Sequence, residues 1–408
     1  MKLPVNLSLQ QSPGKMSKHS LKENAIRVLV LFNAGAEMYG MERAVIETFD
    51  LLRPEVEPHF LMSYTTKRLD LPILKEIQRR GLGHSFFSDW TDWPRIGKPK
   101  SLRDVWSMSF AMLRGNTDVW RAARGKEFIY IPGINYFYFA LLASLRHRIL
   151  GKRVIYHFHD LVTQSSTSNK AAYAVATDFI HNTNLGYRAV IDANIFLNKK
   201  KHHVIPAPMS VKVGYIRQQP RATDNGRRSI LFVGQVARHK GVDILLDAFD
   251  VLAETHDNLI LNIVGGCDDP VLRRRLESQE IRNGCKVKWW GYQNDVGQFL
   301  RRAHLYVHPS PPSRCHESFG VGLVEAMSLG IPSICFRSGA FQEIMVHEET
   351  GLLCDDEHPI AFAKNINRLL IDAGLRHHCS QQAVKRYQEK YSSAKIKSCW
   401  LEALGNNK

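Results

Sequence analysis

Apolar runs of about six residues alternate with longer amphipathic stretches along most of the chain, and the alternation starts twice. In the first half the strand-like runs are Ile26–Phe32, Pro58–Tyr64, Gly83–Ser88, Glu127–Gly133 and Arg153–Leu161. Two more short strands are read at Ala189–Phe196 and His202–Met209. A polar, basic and weakly periodic stretch follows over 207–228. The pattern then begins again with Ser229–Gly234, Leu259–Gly266, Lys286–Tyr292, Leu305–Ser310, Ile331–Phe336 and Thr350–Asp356. Near-continuous apolar strands separated by helical periodicity specify parallel sheets with helices on both faces. The expectation is therefore an α/β chain of two doubly wound, Rossmann-like domains facing across a cleft. Its divisions are a basic arm (1–25), a first domain (26–206), a linker (207–228), a second domain (229–375) and a helical tail (376–408). Open α/β sheets bind ligands beyond the carboxyl ends of their strands, so that is where chemistry is sought.

Composition excludes several classes. With 408 residues, 44% hydrophobic and 23% charged, the chain is neither disordered nor collagen-like, and no apolar run approaches the length of a spanning helix. The net charge is +16, and it is uneven. The first 205 residues hold 29 Lys and Arg against 17 Asp and Glu; the rest hold 26 against 22. A basic first half suits an anionic partner or simple solubility. No nucleic-acid-binding signature accompanies it, so nucleic acid is not an expected partner. The seven cysteines are odd in number, lack any C-x-x-C and are absent from the first 266 residues. That pattern is not a disulfide framework and points to a reducing, cytoplasmic compartment. The polar start has no apolar core of a secretory leader.

Two loops carry most of the chemistry. Gly234 ends a buried strand and is followed by Gln235, Arg238, His239 and Lys240 before a helix. A cationic loop at a helix N-terminus suits a diphosphate; it reads alternatively as a solvated basic turn. The second loop places Glu317 ahead of a helix starting near Gly320, and Glu325 within that helix's first two turns. Free amides after Phe319 and Gly320 would hold a phosphate, and a carboxylate would accept sugar or ribose hydroxyls. Taken singly, Glu317 reads as a capping or surface carboxylate and Glu325 as a solvent-facing helix residue. No D-x-D tripeptide is present, so no acidic cluster invites a divalent ion at a diphosphate. Cys315-His316 lacks a second ligand pair at zinc-site spacing.

Together these motifs resemble the GT-B glycosyltransferases, in particular retaining family 4 (glycosyl transferases group 1). The likeness is strong over Ser229–Asp355 and looser elsewhere. The family's E-x7-E element, E-S-F-G-x-x-x-x-E-A-M-x-x-G-x-P, is matched by Glu317-Ser318-Phe319-Gly320 through Glu325-Ala326-Met327, Gly330 and Pro332. Its G-R-L-x-x-x-K-G loop is matched by Gly234–Gly241, and its late glycine-to-glutamate and G-L-L elements by Gly339–Glu343 and Gly351–Leu353. The resemblance implies that Lys240 neutralises the diphosphate and that Glu325 binds the ribose. It implies that Glu317 contacts the donor sugar while amides near Ser318, Phe319 and Gly320 receive the distal phosphate. Gly291, Tyr292, Pro309 and Ser310 would lie around the base. Gly40 would belong to a glycine loop under the donor, and His159-Asp160 to an H-D pair at the cleft. Lys240, Glu317 and His159 are the implied catalytic residues. One departure matters: the arginine after the first glycine is Gln235 here, so one diphosphate cation is either missing or supplied by Arg238, three positions later. The acceptor side matches less well, with Met41-Glu42-Arg43 after Gly40 and Val204–Pro208 in place of V-I-P-N-G.

The implied activity is transfer of a sugar from a nucleotide diphosphate, UDP first and GDP second, to a hydroxyl of a glycan or lipid-linked acceptor. The configuration would be retained, with no metal or other cofactor. A nucleotide-binding chain of the same fold without transferase activity is the alternative. The aromatic-rich Tyr136–Leu150 segment reads first as a buried helix and second as an amphipathic face touching a membrane; Trp90 and Trp93 raise the same question. His157, His308 and His316 read as structural.

Overall fold

The computed structural model describes residues 25–32, 40–88, 101–159, 161, 170, 173–194, 197, 199–209, 227–278 and 285–405. The basic arm up to residue 24, Asp160, Trp90, Trp93 and residues 210–226 of the expected linker lie outside them. Thirteen strands are described. The first domain contains β1 (Ile26–Leu31), β2 (Val56–Met62), β3 (Gly83–Phe86), β4 (Phe128–Ile131), β5 (Arg153–Phe158), β6 (Asp178–His181) and β7 (Lys201–Val204). They form one parallel sheet in the order β3-β2-β1-β4-β5-β6-β7. The second contains β8 (Arg228–Val233), β9 (Leu259–Val264), β10 (Lys286–Trp289), β11 (Leu305–His308), β12 (Ser333–Phe336) and β13 (Gly351–Cys354). These form a parallel sheet in the order β10-β9-β8-β11-β12-β13. In each sheet the strand order reverses beside the first strand, between β1 and β4 and between β8 and β11. That reversal opens the crevice that ligands use in such folds.

Strand periodicity builds the cores. Val28, Val30 and Phe32 enter one cluster and Leu29 and Leu31 the cluster on the opposite face. Ile230 and Phe232 are likewise separated from Leu231. Successive side chains leave a strand on opposite faces, so a run with both sets apolar must be covered on both sides.

One sequence expectation is corrected. The apolar run Ala189–Phe196 predicts a strand, but Ala189–Ala193 belong to the helix Asn184–Ala193, and the strand is the earlier Asp178–His181. Thr183 starts that helix by accepting a hydrogen bond from Gly186 N at 3.1 Å. This cap, which a reading by apolar runs overlooks, sets the boundary. Asp178 is buried at the start of β6 because Arg153 pairs with it at 2.7 Å.

The end of the chain divides between the two domains. Ala383 and Tyr387 of the helix Ala373–Lys390 lie in the second domain's core. Ile396, Trp400, Ala403 and Leu404 of the helix Ser393–Gly405 lie in the first domain's core with Val28, Phe49 and Tyr130. Lys397 donates to Arg53 O at 2.9 Å, and Arg153 donates to Ala403 O at 3.0 Å. The two domains are therefore tied by chain as well as by contact. Trp400→Ala removes the largest fully buried side chain in this anchor. A loss of about 3–5 kcal/mol is expected from urea unfolding of the full chain; a change under about 1 kcal/mol would mean that the last helix contributes little to the first core.

Candidate active site

The facing ends of the two sheets border a cleft of about 440 Å³, lined by both domains. On the second domain's side, β8 runs into Gly234 and Gln235 and then a 3-10 turn, Arg238–Lys240. Gly241 follows at φ 69°, where a Cβ would lie 1.8 Å from the carbonyl oxygen of Pro309. Only glycine fits, so the loop after β8 is pressed onto the loop after β11. That contact delivers Lys240 to Glu317. The lysine Nζ donates to Glu317 Oε1 at 2.7 Å, Ser310 Oγ donates to the same oxygen at 2.5 Å, and His308 Nε2 lies 3.2 Å from it. A second glycine supports the carboxylate from behind. At Gly339, φ 49°, a Cβ would fall 2.2 Å from Glu317 O, and Ala340 N donates to that oxygen at 2.7 Å.

The electrostatics follow from these contacts. Burial alone would raise the Glu317 pKa. The hydrogen bond from His308, together with the Lys240 charge, outweighs it and holds the carboxyl well below the usual range. An ionised carboxylate only accepts, so His308 Nε2 carries a hydrogen and Nδ1 faces the Tyr306 hydroxyl at 2.9 Å. Burial pushes the Tyr306 hydroxyl up, as do the nearby carboxylates Glu325 and Glu317, so this phenol stays protonated.

The helix Val321–Ser328 begins at Gly320, φ 113°, with no side chain capping it. A Cβ on Gly320 would meet Phe341 at 2.5 Å, and one on Gly322 would meet the Tyr306 hydroxyl at 2.5 Å. Ser318, Phe319, Gly320, Val321 and Gly322 all line the cleft, so the positive end of this helix faces it. Glu325 is buried and also lines the cleft, which sets aside the solvent-facing reading.

From the first domain come Gly40, Met41 and Arg43 at the start of the helix Gly40–Leu51, and His159 just after β5. His159 is oriented by a line of buried polar groups. Its Nε2 lies 3.2 Å from the Tyr130 hydroxyl, which lies 2.6 Å from His157 Nδ1, and His157 Nε2 lies 2.9 Å from Asn182 Oδ1. The Asn182 carbonyl oxygen accepts, so His157 Nε2 donates and its Nδ1 accepts from Tyr130. Tyr130 oxygen then accepts from His159 Nε2–H, which leaves His159 Nδ1 as an acceptor. Burial, then the neighbouring His157, lowers the His159 pKa well below its ordinary value and keeps the ring neutral.

Of the residues singled out in the sequence, Gly40, His159, Gln235, Lys240, Tyr292, Glu317, Ser318, Phe319, Gly320 and Glu325 meet at this cleft. Ser310 stands behind it on Glu317. Pro309 lies against Gly241, and Gly291 accepts from Gly265 N at 2.8 Å. Arg238 does not line the cleft. It is exposed and pairs with Asp269 at 3.3 Å, so it does not fill the place left by Gln235. The second cation at the cleft is Arg43 of the first domain, which the sequence reading named in the loop after Gly40 without giving it a role. Arg43 donates to Gln293 O at 3.1 Å and lies 5.9 Å from the Tyr292 ring centroid. On another flank Glu343 accepts from the amides of Asn184 and Leu185, both at 3.0 Å, capping a first-domain helix from the second domain. His308 and Asn182 were also missed as site residues. Their signal is only that each stands at or just after a strand end. Among the described residues no group of three or more His, Cys, Asp or Glu is arranged to hold a metal ion.

Stability should record the ionised Glu317. Its pKa falls on folding from an ordinary value of 4.5, so its contribution is complete above that pH and is lost as pH drops below it. Glu317→Gln should therefore be less stable than wild type at neutral pH, with the gap closing as pH falls into the acid range. Urea midpoints of both proteins across pH measure this, and a pH-independent gap would mean that Glu317 is not held ionised.

Residues 216–386 match the family described as glycosyl transferases group 1. A glycosyltransferase of Methanocaldococcus jannaschii, itself uncharacterized, is 32% identical over 169 residues, 40% of this chain and 41% of that protein. A phosphatidyl-myo-inositol mannosyltransferase of Mycobacterium leprae is 30% identical over 191 residues, 45% of this chain and 49% of that protein. The chain thus spans less than half the length of these curated relatives. The likeness in structure runs further. The Anabaena HepE structure in complex with UDP and glucose superposes with a TM-score of 0.72 at 18% identity, covering 93% of this chain and 100% of that one. The chain therefore has the GT-B fold, and its second domain is similar to the glycosyl transferases group 1 family.

Proposed function

We propose that this protein transfers a sugar from a nucleotide diphosphate donor to a hydroxyl of a glycan or lipid-linked acceptor, with retention of configuration. The observation that carries the reading is the convergence of Lys240, the uncapped helix start at Gly320 and the buried carboxylates Glu317 and Glu325 on a cleft between two domains. Lys240 and the helix amides would stabilise the charge that develops on the β-phosphate as the bond from the anomeric carbon breaks. The acceptor oxygen would bond to that carbon on the face the phosphate leaves, and its proton would pass to the departing phosphate oxygen. No strong side-chain base is needed, which agrees with a neutral His159. Its free Nδ1 would accept from a sugar or acceptor hydroxyl and so fix orientation. Glu325 would hold the ribose hydroxyls, and Gly291 and Tyr292 would border the base. A UDP-sugar is the preferred donor and a GDP-sugar the second, with no metal required; the Anabaena structure with UDP and glucose supports the first choice.

A second reading, nucleotide binding without transfer, rests on Gln235 and on the turn of Arg238 away from the cleft. Product analysis after incubation with donor and acceptor separates the two. Under the transferase reading Lys240→Ala should lower turnover by about 10²–10³-fold. Near-wild-type turnover in a folded Lys240→Ala enzyme would remove the lysine from the mechanism. Thermal shifts against UDP, GDP, ADP and dTDP, with and without EDTA, test the donor. Ligand at about 100 times its Kd adds roughly 2.7 kcal/mol to the bound state. The expected result is an EDTA-insensitive shift with UDP that weakens in Glu325→Ala. No shift with any nucleotide would contradict the donor site.

A further inference from the structure

The helices Leu102–Ala122 and Ile134–Ile149 lie side by side on one face of the first sheet. Their inner residues Val119, Phe137, Phe139, Ala140 and Ala143 are buried in that face's core. They are locked together closely. A Cβ on Gly115 would fall 2.3 Å from the Phe139 ring. Asn116 Nδ2 donates to Tyr138 O at 2.8 Å while Leu142 N donates to Asn116 Oδ1 at 2.9 Å, so this side chain bridges one turn of the neighbouring helix.

The outer face of the pair is what the core does not explain. Trp106, Phe110, Leu113 and Trp120 recur at spacings of four, three and seven on the first helix, which places them on one stripe. On the second helix Leu141, Leu142, Leu145 and Ile149 form the matching stripe. All eight are exposed, Trp106 at 77% and Ile149 at 84%. The second helix is apolar on its exposed as well as its buried side as far as Leu145, is basic at Arg146, His147 and Arg148, and at 16 residues is too short to span a bilayer. Charge accompanies the stripe. Residues 102–152 hold eight Lys and Arg against three Asp and Glu. Arg146 lies 5.2 Å from the Trp120 ring centroid and Arg114 5.6 Å from that of Phe110. Arg121 and Arg124 are exposed near the end of the first helix. Aromatic rings beside guanidinium groups, around an aliphatic centre, match the boundary of an anionic membrane, where rings sit at head-group depth and cations meet lipid phosphate.

We propose that this two-helix face is a docking surface for an anionic lipid bilayer, holding the protein on a membrane without spanning it. The sign of the charge favours lipid head groups over a second copy of the chain, which would bring like-charged arginines together. The inference stands on surface chemistry alone and does not depend on the reading of the cleft.

Co-sedimentation of the full chain with phosphatidylcholine vesicles, with and without phosphatidylglycerol, tests it. Binding is expected only with the anionic lipid, and it should weaken as salt rises. Arg121→Glu/Arg124→Glu should lower partitioning by about tenfold or more. Trp106→Ser/Phe110→Ser/Ile149→Ser should lower it as well, with an unchanged far-ultraviolet circular dichroism spectrum as the check that the fold is intact. Lipid-dependent quenching by brominated chains should fall in Trp106→Phe. Wild-type protein left in the supernatant at low salt would overturn the proposal, as would full binding by both multiple variants. So would a wild-type dimer, indifferent to vesicles, that the triple variant turns into a monomer.

Discussion

Everything at the cleft depends on one buried charge. Glu317 is an ionised carboxylate in a place that would otherwise neutralise it. Lys240, Ser310 and His308 converge on a single one of its oxygens and make the charge tenable. Breaking such a buried pair typically costs about 3–5 kcal/mol, because the remaining partner is left uncompensated. The cluster also locks three connections together: the turn after β8, the end of β11 and the approach to the Val321–Ser328 helix. Lys240 is thereby fixed in orientation at the cleft. Preorganised charge of this kind requires little rearrangement during reaction.

The first domain solves a similar problem without charge. Tyr130, His157 and Asn182 leave His159 a single tautomer, and burial keeps the ring neutral. The two domains thus bring different resources to one cavity. The second offers fixed positive potential from Lys240 and a helix N-terminus. The first offers a neutral acceptor atom and the charge of Arg43. Their contacts, Arg43 on Gln293 and Glu343 on the amides of Asn184 and Leu185, close the cleft at separate points. Apolar packing accompanies them, since Ala44 of the first domain lies in the second domain's core cluster.

The C-terminal helix adds a covalent link between the two domains. Trp400 sits against Tyr130 and His157, with ring centroids 6.3 and 6.1 Å away. The packing that anchors the tail in the first domain is therefore continuous with the groups that orient His159. An effect of Trp400 on the site would travel through contact rather than through any new bond.

Much of this was legible in the order of residues. Apolar runs of strand length, repeated after a polar break, require two parallel sheets, because both faces of each strand must be buried. Glycines before Lys240 and Glu325, and the spacing of Glu317 from Glu325, marked loops that could approach an anion. Local sequence did not determine which charges meet. Arg238 stands two residues from Lys240 and reads as an equivalent cation, yet it turns to Asp269, while Arg43 arrives from nearly 200 residues earlier in the chain. His308 looks like any strand-end histidine until the fold sets it against Glu317. Ala189–Ala193 are helical because Thr183 caps them, a hydrogen bond that apolar periodicity does not register. Periodicity and glycine placement act through neighbouring residues and so are written in the sequence. Partner choice among charges depends on distances across the folded molecule, and only the tertiary structure decides it.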